Sequence, residues 1–231
     1  MVNRIMAHMV AFYPDRDASF SVARALIEGV ASYLEVQFPF SDPTADGVFI
    51  QKACDMAIQQ GFTIADGFQL IAQIRKYSDI PIFIMGYANI VFFHGIEPFL
   101  KKCSNIGVQG LIIPDLPADY DEGLYGIAKK LHLIAVPVIA PSIEDKRLQM
   151  ILDHQTEYIY ATLRKGITGA YTEIGETNIK FLQKIGTNKS KILAGFGISQ
   201  KEQVKALAPY IHAAVVGSAF IREIMELKNH T

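Results

Sequence analysis

A chain of 231 residues, 50% hydrophobic and 19% charged, has the apolar content for one large core and a length that suits a single closed α/β barrel. With 22 basic against 23 acidic residues its net charge is −1, which excludes the electrostatic footprint of a nucleic-acid or anionic-membrane binder. No apolar run reaches the roughly 18 residues needed to span a bilayer.

The N-terminus, MVNRIMAHMVAFYPDRD, holds one early Arg and a short apolar run but no small-residue cleavage site. It reads as a first strand, Ile5–Ala11, and not as a leader, so the protein is expected to be soluble and cytoplasmic. SFSVARALIEGVA follows, with apolar residues every three or four positions and charges opposite, as in a surface helix. The rhythm then repeats. Candidate strands Tyr33–Gln37, Pro81–Met85, Gly110–Ile113, Ala135–Ile139, Tyr158–Ala161, Lys191–Ala194 and His212–Val216 alternate with helical stretches such as TIADGFQLIAQIRKY, GIEPFLKKCSNIG, YDEGLYGIAKKLH and SIEDKRLQMILDH. Strands separated by helices pair in parallel through right-handed crossovers, and eight such units close into a (β/α)8 TIM barrel of the α/β class. No Pro/Gly/Ser-rich linker divides the chain, so residues 1–231 are read as one domain.

In such barrels the chemistry collects on loops that follow strand C-termini, and the unusual residues fall there. FPFSDPTADG follows the second strand, GYANIVF the third, PDLP the fourth, RKGITGA the sixth, GFGIS the seventh and GSAF the eighth. Gly166-Ile167-Thr168-Gly169, Gly195-Phe196-Gly197 and Gly217-Ser218 thus lie on consecutive loops of one rim. Glycine lets backbone N–H groups approach an anion, and AFIREIMELK after Gly217-Ser218 reads as a helix whose N-terminus adds its dipole. Together they point to a phosphate site. GFGIS is no dinucleotide fingerprint, because the later glycine of GxGxxG is missing.

Glu35 interrupts the apolar second strand, where burial is costly unless the group is paired or used. No strand supplies an Arg or Lys to pair it, so a raised pKa and general acid–base work are expected of Glu35, with Asp46 as an ionised partner on a polar loop. Tyr87, Tyr160, Phe92, Phe196, Ile50, Met85 and Ile112 could enclose a flat apolar group. Asp115 could hold a hydroxyl, position Tyr87 or serve the turn before Pro117. Cys54 and Cys103 lack CxxC spacing and read as reduced core thiols. The six histidines show no ligand spacing, so no metal site is expected, and His8 reads as a core histidine pointing inward.

LEVQFPFSDPTADG, GYANIVF, IIPDLP, RKGITGA, GFGIS and VGSA, in that order on the same rhythm, resemble the tryptophan synthase alpha chain family from Phe12 to Phe220. The resemblance implies cleavage of indole-3-glycerol phosphate to indole and glyceraldehyde 3-phosphate, with Glu35 protonating C3 of the indole and helping to remove the glycerol hydroxyl proton, and Asp46 accepting the indole N–H. It assigns Gly169, Gly197, Gly217 and Ser218 to the phosphate cradle, and Tyr160 and Phe196 to the substrate cavity. Arg164 and Thr168 match the loop that closes over the substrate, Thr168 holding Asp46 in its active pose. The family pairs with a beta subunit in an α2β2 complex; pyridoxal phosphate belongs to that partner, and no cofactor is implied in this chain. Asp42 and the loop after Tyr87 match the surfaces that face the partner.

Departures from the pattern are Gln37 for a glycine, His8 for a large apolar residue, Val48 for a proline and Lys165 for a small residue. The helix that normally covers the barrel floor is also missing, which predicts an exposed apolar floor or a compensating contact with another subunit. These departures keep two alternatives open. One is a weakly catalytic barrel that regulates a beta subunit; the other is a related phosphate-binding barrel with another substrate.

Overall fold

The structure, a computed structural model, describes residues 4–229 apart from 165, 169–170 and 187–188. Its strands are β1 (Ile5–Val10), β2 (Ala31–Gln37), β3 (Ile82–Met85), β4 (Gly110–Ile112), β5 (Ile134–Val136), β6 (Val138–Ile139), β7 (Tyr158–Thr162), β8 (Lys191–Gly195) and β9 (Ala213–Val216). All pairings are parallel, and the order is β5-β4-β3-β2-β1-β9-β8-β7-β6. The fifth candidate strand is therefore two pieces flanking Pro137: β5 pairs with β4 and β6 with β7. Proline has no N–H for a ladder, so the break falls at the seam where the sheet meets itself. The Pro137 carbonyl still accepts the Tyr160 N–H at 2.9 Å.

The periodic stretches form α1 (Ala18–Gly29), α3 (Ile64–Tyr77), α5 (Ile96–Asn105), α6 (Leu124–Lys130), α7 (Asp145–Asp153) and α10 (Ser218–Asn229), with α2 (Val48–Gln59), α4 (Ala88–His94), α8 (Glu176–Ile185) and α9 (Lys201–Leu207) between them. The start of α3 shows how local chemistry sets a boundary: Thr63 and Asp66 form a reciprocal capping box.

Strand alternation sorts the side chains into two sets. Leu34, Val36 and Phe38 point outward under the helices, where Phe38 packs edge-on against Phe62, Phe68 and Phe99. Each such burial is worth about 1.5–3 kcal/mol. The outer core divides near Pro137 into one cluster built mainly on β1–β5 and another built mainly on β6–β9. Cys54 and Cys103 are buried and free, and burial pushes both thiols up to about 12. Among the described residues no helix is long and apolar enough to cross a membrane.

The inward set fills the barrel in layers, and the lowest layer corrects one expectation. The floor is not an exposed apolar surface. Tyr33, Phe83 and Tyr158 are buried there with ring centroids 5.3–6.3 Å apart. The Tyr33 hydroxyl donates to His212 Nε2 at 2.6 Å. The Lys191 ammonium sits 4.9 Å over the Tyr158 ring and reaches Glu157 at 2.8 Å. This aromatic plug closes the bottom from within, under a polar rim.

Candidate active site

Register brings the first pair together. β1 and β2 align His8 with Glu35, both facing inward. Each is 3% exposed, and His8 Nδ1–H donates to Glu35 Oε2 at 2.7 Å. No strand pairs an Arg or Lys with Glu35 among the described residues; the partner the sequence reading did not foresee is a histidine. Burial opposes charging of His8, but the hydrogen bond and charge of Glu35, with Asp46 beyond, outweigh it and raise its pKa. The Nε2 atom of the same ring is buried and has no partner among the described residues.

Asp46 lies on the polar loop after β2, as expected, but its side chain is buried, only 2% exposed. Its Oδ2 accepts from the Tyr87 hydroxyl and from the Gln37 amide, both at 2.8 Å. Burial pushes its carboxyl up, while His8, Tyr87 and Gln37 pull it back toward the ionised form and Glu35 pushes it up further.

Tyr87 also takes a different part from the one expected. It is fully buried beneath the site and does not line the cavity. Its hydroxyl serves Asp46 and accepts the Ala45 N–H at 3.2 Å. Asp115 does not touch that hydroxyl: it accepts the Ala88 N–H at 2.9 Å and so secures the first turn of α4. Thr168 bonds the backbone on either side of Asp46. Its hydroxyl accepts the Gly47 N–H at 2.8 Å, and its own N–H donates to the Ala45 carbonyl at 3.2 Å.

The other side of the mouth is made from backbone. The turn after β8 runs through Phe196 and Gly197 with φ of 77° and 82°, a left-handed path that is unusual for phenylalanine. Gln203, which is buried, pins this turn. Its Oε1 accepts from the amides of Ser199 and Gln200 at 2.8 and 2.9 Å, and its Nε2 donates to the carbonyls of Thr172 and Gly197. At the end of β8, a Cβ on Gly195 would lie 2.2 Å from the Tyr160 hydroxyl, so only glycine leaves that ring its place. β9 delivers Gly217 and Ser218 to the start of α10, whose N-terminal end faces inward.

One cavity of about 300 Å³ collects these groups. His8, Glu35 and Asp46 border it from β1 and from β2 with its following loop; Gly197, Gly217 and Ser218 border it from β8 and β9. Ile50, Ile112, Tyr160, Phe196 and Thr168 complete the wall named in advance. Arg164, half-buried after β7, and Asp42, exposed on the rim, do not line it. Gly169 and Lys165 lie outside the described residues.

Two contributors escaped the sequence reading. Arg222 of α10 borders the cavity with its guanidinium 5.4 Å over the Phe49 ring and its Nε buried without a partner among the described residues. Its position one helical turn after Ser218 was the available signal. Tyr171 joins from the loop after β7. Among the described residues no group of His, Cys, Asp and Glu has the geometry to hold a metal ion.

The family model for the tryptophan synthase alpha chain matches residues 2–231. A tryptophan synthase alpha chain of Helicobacter hepaticus is 40% identical, over 99% of this chain and 88% of its own length. That of Methanocaldococcus jannaschii is 34% identical, over 92% of this chain and 78% of its own. Among solved structures, a tryptophan synthase complex from Pyrococcus furiosus superposes with a TM-score of 0.87 at 30% identity, covering 96% of this chain and 90% of the other. Mycobacterium tuberculosis tryptophan synthase gives 0.90 at 26% identity, covering 97% and 86%.

Proposed function

Because this chain belongs to the tryptophan synthase alpha chain family, lyase-type enzymes of tryptophan biosynthesis, we propose that its barrel mouth cleaves indole-3-glycerol phosphate to indole and glyceraldehyde 3-phosphate. The observation that carries the reading is a single cavity bordered by two buried carboxylates and by glycine-built amides at a helix N-terminus. That puts an acid–base pair and an anion seat on one cavity of about 300 Å³.

In this reading the phosphate lies against the backbone of Gly197, Gly217 and Ser218 and the positive end of α10, with Gly169 joining by resemblance and Arg222 adding a fixed charge. The indole ring rests between Ile50, Ile112, Tyr160 and Phe196. Glu35 protonates C3 of the ring, which makes the indole a leaving group; the adjacent hydroxyl gives up its proton to a base of the site as its oxygen becomes the aldehyde and the C3–carbon bond breaks. Asp46 accepts the indole N–H and stabilises the positive charge that develops there. Tyr87 and Gln37 direct their hydrogen atoms at Asp46 to keep it ionised for that task. The segment of Arg164 and Thr168 closes over the substrate and excludes water.

A beta subunit carrying pyridoxal phosphate is the proposed partner, in an α2β2 assembly in the cytoplasm, with no cofactor in this chain. Asp42 on the rim and Phe93 of α4, which is 84% exposed, offer a mixed polar and apolar face for it. The test is indole release from indole-3-glycerol phosphate by the purified chain, alone and with a beta subunit. Turnover that rises with the partner is expected, and absence of indole in both samples overturns the reading.

A further inference from the structure

The placement of His8 goes beyond its pairing with Glu35. β1 lies between β2, which carries Glu35, and β9, which delivers Gly217. The His8 ring runs along that second neighbour, its Cγ and Cδ2 both 3.3 Å from where a Gly217 Cβ would stand. Nδ1 is committed to Glu35 at 2.7 Å, and Nε2 is left buried and, among the described residues, unpartnered on a ring that borders the cavity. Leaving a buried polar atom unpaired costs about 1–3 kcal/mol. A histidine retained only for packing gives no reason for that cost; a histidine that meets a ligand does.

Resting on the reaction proposed above, we propose that His8 is a second acid–base residue, its Nε2 removing the hydroxyl proton beside the breaking carbon–carbon bond while Glu35 supplies the proton to the ring. The cleavage needs one proton delivered to carbon and one withdrawn from oxygen, and the dyad divides the two tasks. At the start Glu35 is a carboxylic acid with its proton on Oε1, Oε2 accepts Nδ1–H of a neutral imidazole, and Nε2 offers a lone pair. The Oε1 proton passes to C3 of the indole. The hydroxyl proton passes to Nε2, the O–H electron pair becomes the second bond of the aldehyde, and the C3–carbon bond breaks. Its electron pair restores the ring double bond and neutralises the ring nitrogen. The dyad ends as imidazolium and carboxylate, an ion pair across a bond that already exists. Transfer of Nδ1–H to Oε2 returns a neutral pair, and exchange of the remaining protons with water resets the tautomer.

Among the described residues, the titratable groups that share the cavity with the dyad are Asp46 from the loop after β2, Tyr160 from β7, Tyr171 from the loop after β7 and Arg222 from α10, whereas β9 and the turn after it present Val215 and Gly217. An acidic limb in kcat/KM is therefore assigned to protonation of His8.

The experiment measures indole release against pH by the full chain, with its beta subunit, for wild type, His8→Phe and His8→Gln. In both variants kcat is expected to fall about 100-fold with little change in KM, and the acidic limb to disappear. In His8→Ala, added imidazole is expected to recover at least part of the lost rate. If His8→Phe fails to fold, His8→Gln, which can still donate to Glu35, carries the test. Wild-type kcat with the limb intact in either folded variant overturns the role of His8 alone. An inactive wild type overturns the reaction itself and the dyad with it.

Discussion

Two histidines stand at opposite ends of the same barrel, and their surroundings differ in one respect. At the floor, His212 Nε2 is satisfied by the Tyr33 hydroxyl, within a plug of packed rings. At the mouth, His8 has one nitrogen bonded and the other without a partner among the described residues. Five buried side-chain atoms lack a partner among the described residues; two of them, on His8 and Arg222, border the cavity, and two more, on Gln37 and Thr162, sit at the last residues of β2 and β7. One end of the interior spends its polar groups on cohesion, and the other holds them in reserve for a ligand. This division is what a barrel with chemistry at its C-terminal face and stability at its N-terminal face requires.

The largest way to break the contrast is at the carboxylates. Glu35→Gln is expected to lower kcat for indole release about 10³-fold, and Asp46→Asn about 10²-fold or more, with the fold retained in both; full activity in either defeats the assignment. Stability against pH sharpens it. Because burial raises the Asp46 pKa, the ionised side chain weakens the fold above the ordinary aspartate value of about 3.9 and ceases to do so once protonated. Asp46→Asn is therefore expected to be the more stable protein at neutral pH, with the gap closing as acid is added in a denaturant titration.

Next in size is Gly195→Ala. The added methyl overlaps the Tyr160 hydroxyl and is expected to cost about 1–3 kcal/mol of stability and to raise KM, read by thermal melts and steady-state kinetics. Smallest is the floor. Tyr33→Phe deletes the bond to His212 at a cost of about 1 kcal/mol, with kcat unchanged; a loss of activity there would show that the two ends are coupled. His212 binds its proton less readily in the fold, chiefly through burial, with Arg4 and Lys191 adding to the effect. Its contribution therefore weakens the protein as pH drops below the ordinary histidine value, and His212→Gln is expected to flatten that slope.

Much of this was legible in the sequence. Apolar runs separated by amphipathic stretches disclose the barrel, and Glu35 betrays itself as a charge in an apolar strand. What escaped depends on register and on loop paths. His8 and Glu35 are 27 residues apart, and nothing local says that two strands will align them side by side. Tyr87 looks like a wall residue until the loop carrying Asp46 folds over its hydroxyl. The floor was misread for a related reason: Tyr33, Phe83 and Tyr158 each pass for ordinary strand residues, and only barrel closure makes them neighbours.

Pro137 gives the barrel a grain. The chain before it carries the histidine and both carboxylates, the chain after it carries the glycine rim and α10, and each part has largely its own outer core. A molecule gripped at both ends is therefore a rivet across two half-cylinders: its binding energy adds directly to the work of prising them apart.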